Sequence, residues 1–195
     1  MAIPLKYNFR SLLVRRVSTA MTAGGIALVV GVFVIVMAMV AGLGSAISDT
    51  GEPDNMVIVR KGATTETYSN LSLDQFDALK FLPQIKRNAA GEPMISPELP
   101  VQVLMERTGG TGQDNIVVRG VLPMALQVHT KLHLIEGRMF KPSVNEVIVG
   151  KGLIGHYANM KVGSTLKFGR GTWKVVGVFD AGGSSFESEV WADLH

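Results

Sequence analysis

Residues 17–48 form 32 consecutive positions without a charged side chain, and no other feature constrains this chain as strongly. Between residues 26 and 40, ten positions are Leu, Ile, Phe or Val. At roughly 0.3–0.6 kcal/mol each near the bilayer centre, these residues favour insertion by several kcal/mol. A spanning helix needs about 20 apolar residues, whereas a cleavable signal has an apolar core of about 7–15. Gly44-Ser45-Ala46 offers a small-x-small cleavage site, so cleavage stays open; the length of the core favours a retained span. Arg15-Arg16 followed by Val-Ser-Thr is a poor twin-arginine signal.

Charge sets the direction of the span. All 16 acidic residues of the chain lie from Asp49 onward, and four of its 19 basic residues (Lys6, Arg10, Arg15, Arg16) precede the apolar window. Lys and Arg beside a span favour the cytoplasmic side, so these four residues predict a cytoplasmic N-terminus and an extracytoplasmic domain. Residues 1–16 read as a cytoplasmic interfacial segment, with Leu5, Phe9, Leu12 and Leu13 near helical spacing. An unstructured positive tail that only sets topology is the plainer reading. Residues 17–48 read as transmembrane helix and stalk, because 32 helical residues reach about 48 Å against a hydrocarbon core of about 30 Å. Ala20/Gly24, Ala27/Gly31 and Ala38/Gly42/Ala46 place small residues four apart, a spacing that lets a second helix pack closely.

Beyond the span the chain is nearly neutral, so the basic balance of the whole comes from its tip and gives no reason to expect nucleic acid as a partner. The absence of cysteine removes disulfides, thiol catalysis and cysteine–zinc sites. The pattern is mixed α and β. "NMVIV" at 55–59 is a β-rich run. "SNLSLDQFDALKFLP" carries a capping box, Ser72 with Gln75, and Leu73, Phe76, Leu79 and Leu82 at helical spacing before Pro83. "PVQVLMER" and "NIVVRGV" flank the Gly-rich turn "TGGTGQD" and predict a hairpin. "NEVIVG" predicts a strand, "KGLIGHYAN" a short helix, and "GSTLKFGRGTWKVVGVF" a second hairpin that reads as a compact β unit of its own.

Signals for catalysis are thin, and the reading is that the chain is not an enzyme. His129 and His133 in "HTKLH" have the spacing of a metal pair on a helix, with Glu136 as the nearest third ligand, but Thr130 stands where H-E-x-x-H needs Glu. Ser184 and Ser185 in "GGSSFES" lack G-x-S-x-G spacing. No P-loop sequence occurs. Glu187, Glu189 and Asp193 form an acidic stretch whose plain reading is a solvated face, with a partner's basic patch as the sharper one.

Other stretches carry a family likeness. "PLKYNFRSLLVRR" running into the span, "NEVIVGKGL", and "MKVGSTLKFGRGTWKVVGVFDAGGSSFESEVWADL" together resemble the N-terminal half of a MacB/FtsX-like ABC-transporter permease: a first span followed by a MacB-type periplasmic core domain. The specific part is the tail, with Val-Gly-Lys-Gly-Leu at 149–153, Lys-Val-Gly at 161–163, Val-Val-Gly-Val-Phe at 175–179 and Glu-Ser-Glu-Val-Trp-Ala-Asp at 187–193. The resemblance implies an α+β fold: one N-terminal transmembrane helix, then an extracytoplasmic mixed α/β domain at 49–195 with an α/β part at 49–121 and a β-rich subdomain at 122–189. It implies a bacterial inner-membrane protein and a partner ATPase subunit that binds ATP, so that this chain carries no cofactor and no metal. It further implies a second permease subunit, the same or different, membrane lipid around the span and, in some members, a periplasmic adaptor. Its function would be to couple ATP hydrolysis to export or mechanotransmission in the periplasm. Family members continue past "VWADL" with the rest of the α/β subdomain and three more spans, so the chain reads as a front part whose C-terminal remainder is missing, leaving strand edges and apolar surface without partners. The alternative is a single-pass anchored periplasmic binding or adaptor module.

Overall fold

The uncharged window folds as one helix. In the computed structural model, whose described residues are 10, 14–48, 51–110 and 112–195, α1 covers Arg16–Ser48. Within its segment Arg16–Gly44 the most apolar 18-residue stretch has a mean hydropathy of 2.9, and none of that stretch is buried inside the protein. An apolar helix with no protein over it fits a bilayer and not a soluble core. The chain divides into two compact units, Met1–Ser45 and Ala46–His195.

The second unit is built on a seven-stranded mixed sheet. Its strands are β1 (Leu99–Glu106), β2 (Gln113–Val121), β3 (His133–Gly137), β4 (Glu146–Gly150), β5 (Thr165–Phe168), β6 (Gly171–Asp180) and β7 (Glu189–Asp193). They lie in the order β1-β2-β7-β4-β6-β3, with β5 also paired to β6. β1 and β2 form the hairpin that their pattern predicts, with Val103 opposite Ile116. β2 runs parallel to β7 and β4 parallel to β6, while β4 is antiparallel to β7.

The two central strands explain why the core has two sides. Every residue of β4 ("EVIVG") and of β7 ("EVWAD") is buried, as expected of strands covered on both faces. Alternation divides them. Val147, Val149, Val190 and Ala192 enter one cluster with Met105, Leu153, Met160 and Leu166. Ile148 and Trp191 enter another with Val121, Ala125, Leu132 and Phe179. Met105 of edge strand β1 and Leu166 of β5 share the first cluster although they stand far apart in strand order, so the sheet curls around it.

Some local expectations hold. Helix α2 (Leu73–Leu79) has the full capping box, with the Gln75 N–H on Ser72 Oγ at 3.3 Å and the Ser72 N–H on Gln75 Oε1 at 3.0 Å. Others do not. "NMVIV" at 55–59 is not a strand, and Met56 and Val57 are exposed; β propensity is expressed only where a neighbouring strand takes the backbone groups. "KGLIGHYAN" makes only a 3-10 turn at Lys151–Leu153. Gly150 lets this turn approach the chain opposite: a Cβ there would lie 2.1 Å from the Glu187 carbonyl oxygen, a contact no side chain tolerates. "TWKVVGVFD" is not half of a self-contained hairpin. As β6 it pairs with β3, β4 and β5 and is part of the main sheet. Short helix α3 (Ala125–Val128) ends where His129 begins and His133 opens β3, so the two histidines do not share a helix.

Candidate functional site

Arg119 sits in the interior of β2, between Val118 and Gly120, and is 6% exposed. Register explains its burial: Arg119 stands opposite Trp191 of β7 and shares the sheet face of the Trp191 cluster. A guanidinium there requires carboxylates. Glu189 supplies two oxygens, at 2.7 Å from Nε and 2.8 Å from Nη2, while Nη1 donates to Glu66 at 2.8 Å and to Glu98 at 3.1 Å. The fork geometry of Arg suits the bidentate partner. Burial by itself would lower the Arg119 pKa; the hydrogen bonds and charges of Glu189, Glu66 and Glu98 outweigh it and hold the group above its ordinary value. The guanidinium also lies 5.1 Å from the centroid of the Phe186 ring, a cation–π distance.

His129 extends this network. Its Nε2 is 2.7 Å from Glu98 Oε1, and its ring meets Phe186 and Trp191 edge-on at 4.9 and 5.2 Å. Burial would raise the Glu98 pKa, but the hydrogen bond from His129 and the charges of His129 and Arg119 take it below the usual carboxylate value. Trp191 Nε1 donates to Glu189 Oε2 at 3.1 Å. Sequence reasoning singled out His129 and Glu189 separately; the structure brings them into one network. It missed Arg119, Glu66 and Glu98. The signal was a lone Arg in a β run, two residues from Val117 and from Val121, the second of which is fully buried.

The acidic stretch is not a solvated face. Glu187, Glu189 and Asp193 are all buried, because each carboxylate faces donors fixed by the fold. Glu187 Oε1 accepts the N–H groups of Ala181 (3.1 Å) and Gly183 (2.6 Å) and lies 3.2 Å from Lys151 Nζ. Lys151 also donates to Asp180 at 2.7 Å, and that bond, with the Gly182 N–H, holds the Asp180 pKa down at about 2. Asp193 Oδ2 accepts the Ser143 N–H at 2.6 Å.

Arg138 and Glu146 form a second bidentate pair, with Nη1 to Oε2 at 2.7 Å and Nη2 on Oε1. The Arg138 bond is the largest influence on Glu146 and brings its pKa to about 2 from 4.5. A lowered carboxyl pKa contributes stability above the unfolded value, and that stability is lost as pH falls through the folded value. The wild-type protein should therefore lose stability between about pH 4.5 and 2 in part through this group. Glu146→Gln should flatten that part of a denaturant-midpoint profile; an unchanged acid slope would show that the pair is not its source.

Two clefts mark the sheet. One, of about 380 Å³, is lined by Leu99, Val101, Val103, Val118 and the stacked Phe168 and Trp173 rings, whose centroids are 5.1 Å apart. The other, of about 840 Å³, is lined by Arg107, Asp114, His156, Tyr157, Ser185 and Ser188. There Asp114 accepts from Arg107 at 2.6 Å and from the Tyr157 hydroxyl at 3.0 Å. Ser184 is buried beside it in sequence. His133 stands opposite Asp180 in the sheet, away from the His129 network. Among the described residues no three His, Cys, Asp or Glu side chains form a metal-binding group.

Of the topology residues, Arg10, Arg15 and Arg16 are exposed, while Lys6 lies outside the described residues. Ala27, Gly31, Ala38 and Gly42 all fall on α1, and a Cβ added at Gly31 would meet nothing within 4 Å.

Comparison with known proteins matches residues 19–195 to the family described as MacB-like periplasmic core domain. No curated protein matches the chain. Among solved structures, it is similar to the periplasmic region of MacB from Actinobacillus actinomycetemcomitans, with 17% identity over 64% of this chain and 56% of that one, at a TM-score of 0.47. It is also similar to the extracellular domain of the noncanonic ABC-type transporter YknZ from Gram-positive bacteria, with 16% identity over 64% of this chain and 63% of that one, at a TM-score of 0.45. The chain thus spans little more than half the length of these structural relatives. The family assignment rests on the sequence match, which takes in most of α1 as well as the whole sheet. This chain belongs to the MacB-like periplasmic core domain family.

Proposed function

We propose that this chain is the N-terminal part of an ABC-transporter permease that couples ATP hydrolysis by a separate cytoplasmic ATPase to export or mechanotransmission in the periplasm. One observation carries the reading: a single family match runs from residue 19 in the apolar helix to residue 195 at the end of the sheet domain. Span and domain thus belong to one design. ATP binds to the ATPase and not to this chain. A second permease subunit packs against α1 along the Ala27/Gly31 and Ala38/Gly42 face, where small residues let helix backbones approach. The chain lies in the inner membrane, with its N-terminus cytoplasmic and its domain periplasmic.

Two measurements test this. A reporter fused after His195 should be active only outside the cytoplasm; cytoplasmic activity would overturn the orientation read from Lys6, Arg10, Arg15 and Arg16. The protein purified from its native membrane should bring with it an ATPase carrying a P-loop, identified by mass spectrometry, together with a permease subunit. A protein that is stable and monodisperse with no second polypeptide would favour a single-pass anchored binding module instead.

A further inference from the structure

The larger cleft, of about 840 Å³, has the size of a small-molecule site, and its walls are made and held within residues 106–189. The end of the β1–β2 hairpin supplies one wall, and the segment after the Lys151–Leu153 turn supplies another. Backbone bonds tie the two together: the Thr108 N–H donates to the His156 carbonyl at 2.9 Å, and the Ala158 N–H donates to the Glu106 carbonyl at 3.0 Å. Leu153, 2% exposed, anchors the second wall in the core, and its carbonyl accepts the N–H groups of His156 and Tyr157.

Polar groups converge on this space. Asp114 Oδ2 accepts from both Arg107 Nε and the Tyr157 hydroxyl. Asp114 Oδ1 and the Arg107 Nη groups are left without a partner among the described residues. The hydrogen bond from Arg107 holds the Asp114 carboxyl below its ordinary pKa, so Oδ1 acts only as an acceptor. Glu189, the other acid in the lining, has both oxygens on Arg119.

The free groups thus come as an acceptor beside donors within one ion pair, and that arrangement selects its ligand. A hydroxyl both gives and takes hydrogen bonds at a single oxygen, and two neighbouring hydroxyls on a ring serve Oδ1 and Nη together. An anion would meet Asp114, a cation would meet Arg107, and an apolar ligand would bury both groups unpaired. Tyr157, partly buried against the core, adds an aromatic wall for the C–H face of a sugar ring. Asn115 and Ser188 add an amide and a hydroxyl to the lining.

We propose that this cleft binds a neutral saccharide, with Asp114 Oδ1 and the Arg107 Nη groups on neighbouring ring hydroxyls and the Tyr157 ring against the sugar. The site requires neither an ATPase nor a second permease subunit and stands whether or not the transporter reading holds.

The probe is an array of neutral oligosaccharides with sulfated and phosphorylated ones beside them. The readout is retention of the labelled full-length protein, kept in a detergent without a sugar headgroup. The wild-type protein should be retained by one or more of the neutral oligosaccharides. Asp114→Asn should weaken that retention at least about ten-fold, the worth of one or two hydrogen bonds. Ser188→Trp, which fills the cleft from an exposed position, should abolish it, while Lys86→Ala, outside the lining, should change nothing. Ser188→Trp leaves the Asp114 bonds to Arg107 and Tyr157 in place, so it decides the matter even where Asp114→Asn is unstable. No retention on any neutral oligosaccharide would overturn the proposal. So would retention that survives Ser188→Trp, or retention confined to the charged glycans, which would make the ligand an anion held by Arg107.

Discussion

Arg119→Ala should lower stability by about 3–5 kcal/mol, the range for breaking a buried ion pair by removing one partner. Glu189 is 6% exposed and would keep only the Trp191 N–H, at 3.1 Å, of the donors it now has. The expected readout is a large fall in denaturant midpoint for the protein in detergent. The cost is mainly that of an orphaned buried charge, so Arg119→Met combined with Glu189→Gln should lose much less than the two single changes added together. Additive losses would show that Arg119 stabilises through packing, for instance on Phe186, rather than through its charge.

Trp191→Ala should cost a similar amount, about 3–5 kcal/mol as for other large aromatic truncations. Trp191 is fully buried, and its ring lies 5.5 Å from Phe179 and 5.8 Å from Phe186, centroid to centroid. Loss of the side chain would open a cavity on the face that carries the Arg119 network and take a donor from Glu189. Trp191→Phe keeps most of the volume and removes the N–H, so it should cost only about 1–2 kcal/mol. A loss below about 1 kcal/mol for the alanine variant would mean that this side of the sheet can collapse around the gap.

These two residues also show where sequence reasoning works and where it stops. The capping box of α2, the β1–β2 hairpin and the strand at "NEVIVG" were legible, because each depends on interactions within a few residues or on the pattern of a short apolar run. The strand expected at 55–59 failed because a strand needs a neighbour, and its own residues do not say whether one exists. The acidic stretch misled for a related reason. Glu187, Glu189 and Asp193 read as solvated, yet each is buried against donors 4 to 70 positions away in the chain. His129 and His133 have helical spacing on paper, but α3 stops at His129.

From its sequence alone, this protein was bound to have an apolar helix at one end and an α+β domain after it. Thirty-two uncharged residues have few alternatives to a span once the backbone must satisfy its own hydrogen bonds, and alternation marks most of the strands. The tertiary structure alone decided that β2 would lie beside β7 and thereby set Arg119 against Glu189. A parallel pairing between strands some 70 residues apart depends on what the curled sheet encloses, and the free energy of a buried charge depends on which partner arrives. No local pattern holds that information.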